Sequence, residues 1–191
     1  MARKKEFDPV EKLEIARDVF WEKGYHITSM EDLVTHMQVN RRSMYDTYGD
    51  KHKLFIESLC NYALETFEEY KLAAHGENSP LKAIKLILNK AIKRSFEENK
   101  VCMIVKTSFE VGALDSDILE LLKQLNQKLI LIFEDLIVLA QEQNEVGKNK
   151  NAKESAQFIV GSLAGLWQMQ ILYNDLEMVQ KMAKRLIESL E

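Results

Sequence analysis

Apolar residues recur along this chain at intervals of three and four, the period of a helix with one buried face, and the pattern holds no convincing strand. Over residues 8–23, Leu13, Ala16, Val19 and Phe20 share a face, and Gly24 supplies the left-handed stop. Thr28-Ser29-Met30-Glu31 has capping-box spacing, which predicts that Thr28 and Glu31 exchange hydrogen bonds ahead of Met30, Leu33, Val34 and Met37. Asn40 is a good N-cap for a third helix barely two turns long, with Met44 and Tyr48 on its inner face. Asp50 caps a fourth, whose Leu54, Phe55, Leu59, Tyr62 and Phe67 run toward Gly76. Three short helices thus lead into a longer one.

The rest continues with helical period. Ser79-Pro80 pairs an N-cap with proline at the first helical position, before Leu81, Ile84, Leu88, Ala91, Ile92 and Phe96. Residues 101–111 are apolar on several sides and predict a buried helix closed by Gly112. Asp115 opens a long helix with the stripe Ile118, Leu122, Leu125, Leu129, Phe133, Leu136 and Ala140. A polar loop over residues 146–153 precedes two last helices, one carrying Ala156, Ile159, Val160, Leu163 and Trp167 and one carrying Val179, Met182, Ala183, Leu186 and Leu190. The expectation is an all-α chain of about nine helices, with a three-helix unit over residues 1–52 and a helical remainder over residues 53–191.

Composition supports helices, because 7 glycines and 2 prolines in 191 residues are too few for the turns of a many-stranded protein. Cys60 and Cys102 have no metal or disulfide spacing, as expected in a reducing compartment, and residues 1–6 are not followed by the apolar run of a signal peptide. The apolar stretch over residues 129–140 is broken by Glu134 and Asp135 and is too short to span a membrane, so the expected location is the cytoplasm, with no membrane partner.

The net charge of −4 excludes adhesion to nucleic acid by bulk positive charge. The first 55 residues are balanced, with 10 Lys and Arg against 10 Asp and Glu, so any contact with DNA must come from a local cluster. Arg41, Arg42 and Ser43 form one at the leading end of the second member of a short-helix pair. That geometry lets a helix enter the major groove, about 12 Å wide, and Arg can engage both acceptors of a guanine.

The run Phe20, Gly24, Tyr25, Thr28, Ser29, Met30, Asp32 and Leu33, followed by Val39-Asn40-Arg41-Arg42-Ser43-Met44-Tyr45, Tyr48-Gly49-Asp50-Lys51 and Leu54-Phe55, resembles the DNA-binding domain of the TetR family of bacterial transcription regulators. The remainder is similar in length, helix count and the run Val101-Cys102-Met103-Ile104-Val105. The resemblance implies a helix-turn-helix domain in which Thr28, Tyr45, Thr47 and Lys51 face phosphates while Arg41, Arg42 and Ser43 read bases. The arm Arg3-Lys4-Lys5 would reach neighbouring phosphates or the minor groove. Two departures from the family stand out: Met37-Gln38-Val39 occupy a turn that usually holds a small residue and Gly, and Arg42 stands where Gly is common.

The resemblance further implies a homodimer that binds a palindromic double-stranded DNA operator and is released by a small hydrophobic effector, most commonly as a repressor. Dimer contacts are expected from Phe158, Gly161, Ser162, Gly165, Val179, Met182 and Leu186, since small residues allow close helix approach and the final helix has an apolar face with nothing after it. An effector pocket is expected from Tyr62, Phe96, Met103, Thr107, Phe109, Phe133, Trp167, Gln168 and Tyr173. One alternative within the same fold is a thiol or electrophile sensor at Cys102, whose neighbours Lys100 and Lys106 are of the sign that lowers a thiol pKa. Catalysis is not expected: phosphate-binding glycine loops, nucleophile elbows and metal-binding histidine pairs are absent, and neither a metal nor a cofactor is called for. A pure protein-interaction bundle is the third class.

Overall fold

A computed structural model describes residues 7–190, so the arm Arg3-Lys4-Lys5 lies outside the described residues. Within them the chain forms α1 (Pro9–Lys23), α2 (Met30–Met37), α3 (Arg41–Tyr48), α4 (Lys51–His75), α5 (Pro80–Glu97), α6 (Met103–Glu110), α7 (Ser116–Glu142), α8 (Ala152–Tyr173) and α9 (Leu176–Glu188), with no strand among them. Nearly every helix begins at a side-chain cap. Asp8, Asn40, Asp50, Ser79, Asn151 and Asp175 each accept from a backbone N–H two or three residues on.

The cap of α2 differs from the expected one. Ser29, not Thr28, is the N-cap, accepting from the Asp32 N–H at 3.0 Å while Asp32 accepts from the Ser29 N–H at 2.9 Å. Thr28 is fully buried, and its hydroxyl donates to the Gly24 carbonyl at 2.6 Å. With its proton spent on the preceding turn and its oxygen buried, this hydroxyl is not offered to a phosphate.

Two apolar cores divide the molecule. The first gathers Ala16, Val19, Phe20 and Trp21 of α1, Leu33 and Met37 of α2 and Met44 and Tyr48 of α3 around Leu54, Phe55, Leu59 and Tyr62 of α4. The second packs α5, α7, α8 and α9 around Ile84, Leu88, Phe133, Ile137, Leu163 and Leu186, and takes in Tyr70 and Ala73 from the far end of α4. Between them Ala63 and Phe67 of α4 meet Leu125 of α7. α4 is therefore one continuous helix rooted in both cores, and residues 52 and 53 fall in its first turn, not in a linker.

Polar contacts reinforce this junction. The Trp21 indole donates to the Val101 carbonyl at 2.6 Å, and the Lys106 ammonium reaches the carbonyls of Trp21 and Glu22 at 2.7 and 2.9 Å. Glu110 of α6 accepts from the His26 N–H at 2.8 Å, and His52 meets Asp115, the N-cap of α7, at 2.9 Å. Gly24 makes the approach of Glu110 possible: its φ is +88°, and a Cβ there would stand 2.7 Å from the Glu110 carboxylate.

α6 is less buried than its apolar sequence predicts. Met103 and Thr107 face inward, but Phe109 is 83% exposed, because an eight-residue helix seated on one side of the bundle buries one stripe only.

Two outcomes are expected from the turn and its cap. Gln38 is exposed and held in the left-handed region at φ 53°, ψ 43°, where a Cβ is disfavoured. Gln38→Gly is expected to raise stability by about 0.5–1 kcal/mol in urea denaturation, relief of strain outweighing the larger freedom gained by the unfolded chain. Asp32, bonded to Lys23 and to Ser29, has its carboxyl held well below the usual range, with Lys23 as the larger cause. A depressed folded-state pKa stabilises above the ordinary carboxylate pKa and is lost as pH falls through the folded value. The stability gap between wild type and Asp32→Asn, followed by denaturation from neutral pH downward, should close below about pH 5.

Candidate nucleic-acid interface and internal cavity

α3 is held by its inner face and leaves its outer face free. Met44 and Tyr48 are buried, and the Tyr48 hydroxyl donates to the Pro9 carbonyl at 2.7 Å, burial pushing its pKa up to about 12. Asn40 caps the helix through the Ser43 N–H at 2.8 Å. Arg41, Arg42, Tyr45 and Asp46 are exposed, with Ser43 and Thr47 half-buried beside them. The Arg41 guanidinium lies 5.8 Å from the centre of the Tyr45 ring, and Arg42 stands 3.8 Å from Asp46 one turn on, a separation that in water costs little to break. Lys51, the first residue of α4, rests its ammonium 4.4 Å from the centre of the Tyr25 ring, where burial lowers its pKa. Of the residues expected to contact DNA, Arg41, Arg42 and Tyr45 are exposed on α3, Ser43 and Thr47 are half-buried on it, Lys51 is half-buried at the start of α4, and Thr28 is turned inward.

The residues expected to line one pocket do not come together. Tyr62 and Trp167 do bound a common cavity. Phe133 is instead in the second core, Met103 in the first, and Phe96 packs half-buried against the second. Thr107 is buried under α6, and Phe109 lines an open groove between α6, α7 and α8. Gln168 and Tyr173 are exposed. The buried amide is Gln170, which donates to the Ser95 carbonyl at 2.6 Å. The correction has a simple cause, since helical period assigns a face and a shift of two residues turns an amide by more than half a turn.

The cavity has a volume of about 20 Å³, room for one water, between α1, α4, α5 and α8. Its aromatic wall is Trp21, Tyr62, Tyr70 and Trp167, with Trp21 and Tyr62 edge to face at 4.9 Å. Arg94 crosses the mouth, its guanidinium 5.3 Å from the centre of the Trp21 ring and 5.9 Å from that of Tyr62, while Lys100 approaches Trp21 at 5.1 Å. Thr66 Oγ1 and Trp167 Nε1, both buried on this wall, have no hydrogen-bond partner. Trp21, Thr66, Tyr70 and Arg94 were not singled out from the sequence. The spacing of 62, 66 and 70 on one face of α4 was a usable signal for two of them; nothing in the sequence joins Trp21 to Arg94.

Cys102 also borders this cavity, but burial pushes its thiol pKa up, opposed only in part by backbone hydrogen bonds and Tyr62. Lys106 is engaged with the α1 carbonyls, so the lowering anticipated from neighbouring lysines does not prevail.

The expected interface residues divide in the same way. Phe158, Ser162, Gly165, Met182 and Leu186 border an open apolar groove of about 400 Å³ between α8 and α9. Gly161 faces the groove on the other side of α8, and Val179 is buried within the chain.

Among the described residues no cluster of side chains fit to hold a metal ion occurs, and no helix is long and apolar enough to cross a membrane. Residues 13–57 match the family of bacterial regulatory proteins called tetR. The HTH-type transcriptional regulator YezE of Bacillus subtilis is 28% identical over 183 residues, spanning 94% of each chain. IcaR of Staphylococcus epidermidis, the HTH-type negative regulator of the biofilm operon icaADBC, is 27% identical over 111 residues, covering 58% of this chain and 59% of IcaR. In architecture the chain is similar to a cysteine mutant of the TetR family regulator CifR complexed with 26 bp of double-strand operator DNA, with a TM-score of 0.84, 21% identity and full coverage of both chains. The matched helix-turn-helix segment, the regulator similar along nearly the whole length and the helical architecture agree in what the chain resembles: residues 13–57 are similar to the DNA-binding segment of the tetR family of bacterial regulatory proteins, and the chain as a whole is similar in sequence to an HTH-type transcriptional regulator and has the fold of a TetR family regulator.

Proposed function

We propose that this regulator is a cytoplasmic homodimeric repressor that binds a palindromic operator through α3 and releases it when a small molecule occupies its helical body. The observation that carries the reading is the outer face of α3, with Arg41 and Arg42 exposed on a helix whose opposite face is locked into the first core. Ser43 and the two arginines read base edges, while Tyr45, Thr47 and Lys51 meet phosphates, Lys51 aided by the positive end of α4. The chain's net charge of −4 makes this local cluster the main attraction for DNA.

The groove between α8 and α9 supports the second part. Phe158 is 56% exposed and Met182 39%, and a Cβ added at Gly165 would meet nothing, so a second copy fits against an apolar surface that the small residues Ser162 and Gly165 leave open to close approach. Residues 1–52 then serve as the DNA-reading unit and residues 53–191 as the ligand-binding and dimerising unit, divided functionally although α4 is continuous.

Selection of bound sequences from a random duplex library at two salt concentrations tests the reading. A palindromic motif is expected from the full chain, and salt-sensitive binding without a motif would overturn base reading by α3. Arg41→Ala or Arg42→Ala is expected to cost about 1–3 kcal/mol on the selected operator and to relax the motif at one position per half-site. Lys51→Ala should weaken all sequences alike and lower the salt slope by about one per half-site, measured by fluorescence anisotropy.

A further inference from the structure

We propose that the cavity between α1, α4, α5 and α8 is a site for small aromatic carboxylates, and that its occupant loosens the DNA-reading unit through Trp21. The second clause rests on the function proposed above; the first does not.

Donors without partners set the ligand's polarity. Thr66 Oγ1 and Trp167 Nε1 are buried on the cavity wall with nothing bonded to them, and an indole N–H can only donate. Buried polar groups in folded proteins are ordinarily satisfied, so an acceptor fits here where an amine does not. The charged side chains point the same way. Lys90, Arg94 and Lys100 border the cavity against one carboxylate on its wall, Glu69, and Arg94 is additionally held by Glu98 at 3.0 Å. A ligand carboxylate would exchange with Glu69, 3.5 Å from Arg94, without bringing an unpaired charge into the site.

The wall sets the ligand's body. Trp21, Tyr62, Tyr70 and Trp167 present flat apolar surfaces, which favour a ring over an alkyl chain. The enclosed volume of about 20 Å³ admits no ring as it stands. Room is made at the mouth, where Lys90 is exposed and Arg94 and Lys100 are partly exposed, all three being long side chains able to swing toward solvent.

That movement reaches the DNA-reading unit. Trp21 belongs to α1, yet it is pinned from the body by the Val101 carbonyl, by Arg94 and by Lys100. A carboxylate that draws Arg94 and Lys100 off the indole leaves it held by the Val101 carbonyl and the edge of Tyr62, and by linkage it binds less tightly to the conformer seated on the operator.

The chain has 2 tryptophans and both line this cavity, so intrinsic emission reports occupancy directly. Benzoate and phenylacetate, titrated into the full chain by tryptophan emission and calorimetry, are expected to bind saturably, with benzylamine and benzyl alcohol at least about tenfold weaker. Arg94→Gln should weaken the carboxylates by about tenfold or more, with Arg94→Lys intermediate. If Arg94→Gln fails to fold by circular dichroism, Trp167→Phe, which removes the indole donor and shrinks the ring while keeping an aromatic wall, serves in its place and should weaken the carboxylates severalfold. No binding by either carboxylate, equal binding by benzylamine, or indifference to these substitutions overturns the ligand class while leaving operator recognition intact. Carboxylate binding that leaves affinity for a selected operator unchanged overturns the coupling through Trp21. Carboxylate binding by a chain that selects no operator overturns the regulator reading and not the site.

Discussion

The structure turns on a single constraint: α4 is one unbroken helix with its first turns in one apolar core and its last in another. Leu54, Phe55 and Leu59 fix it to α1, α2 and α3, while Tyr70 and Ala73 fix it to the bundle. A helix of 25 residues spans about 37 Å, so a tilt at one end becomes a displacement at the other. α7 runs beside it, with Ile118 and Leu122 in the first core and Ile130, Phe133 and Ile137 in the second, but α7 begins in the body and carries none of the three short helices. Beyond the apolar contacts of Met103, Val111, Ile118 and Leu122 with the first core, the two parts meet through the polar contacts of Trp21, Lys106, Glu110 and His52, which are individually weak enough to exchange partners.

Division of labour follows from that geometry. α3 has two turns and cannot hold itself in place, so its inner side chains are anchored in the core and its outer ones are released for contact. The net negative charge of the chain then favours discrimination over adhesion, because the positive surface offered to DNA is a local one, made by the arginines of α3 and the neighbouring lysine. Burial around Cys102 works in the opposite direction from reactivity. The thiol contributes bulk to the cavity wall and is held in its neutral form.

The fold was largely legible in the sequence because helices announce themselves locally. The apolar period, Asn40, Asp50 and Ser79-Pro80 at helix starts and Gly24 at a stop all act within a few residues. The capping box was misplaced by one residue because Thr28 and Ser29 are both competent caps, and tertiary burial of Thr28 decided between them. The outer face of α3 was legible for the same local reason. The cavity was not, since it joins Trp21 to Arg94 and Lys100 and places Gln170, not Gln168, inside. Those pairings come from how helices distant in sequence cross, information that a one-dimensional period does not hold.

The most direct measurement is the separation of the two DNA-reading units in solution, by pulsed electron resonance between spin labels on Glu31→Cys, an exposed position on α2, after Cys60→Ser and Cys102→Ser. If α4 ties each unit rigidly to its body, the expected result is one narrow separation on a selected operator and a displaced one when phenylacetate is bound. Broad distributions that ignore both operator and ligand would contradict the account, because the units would then move independently of the helix that joins them.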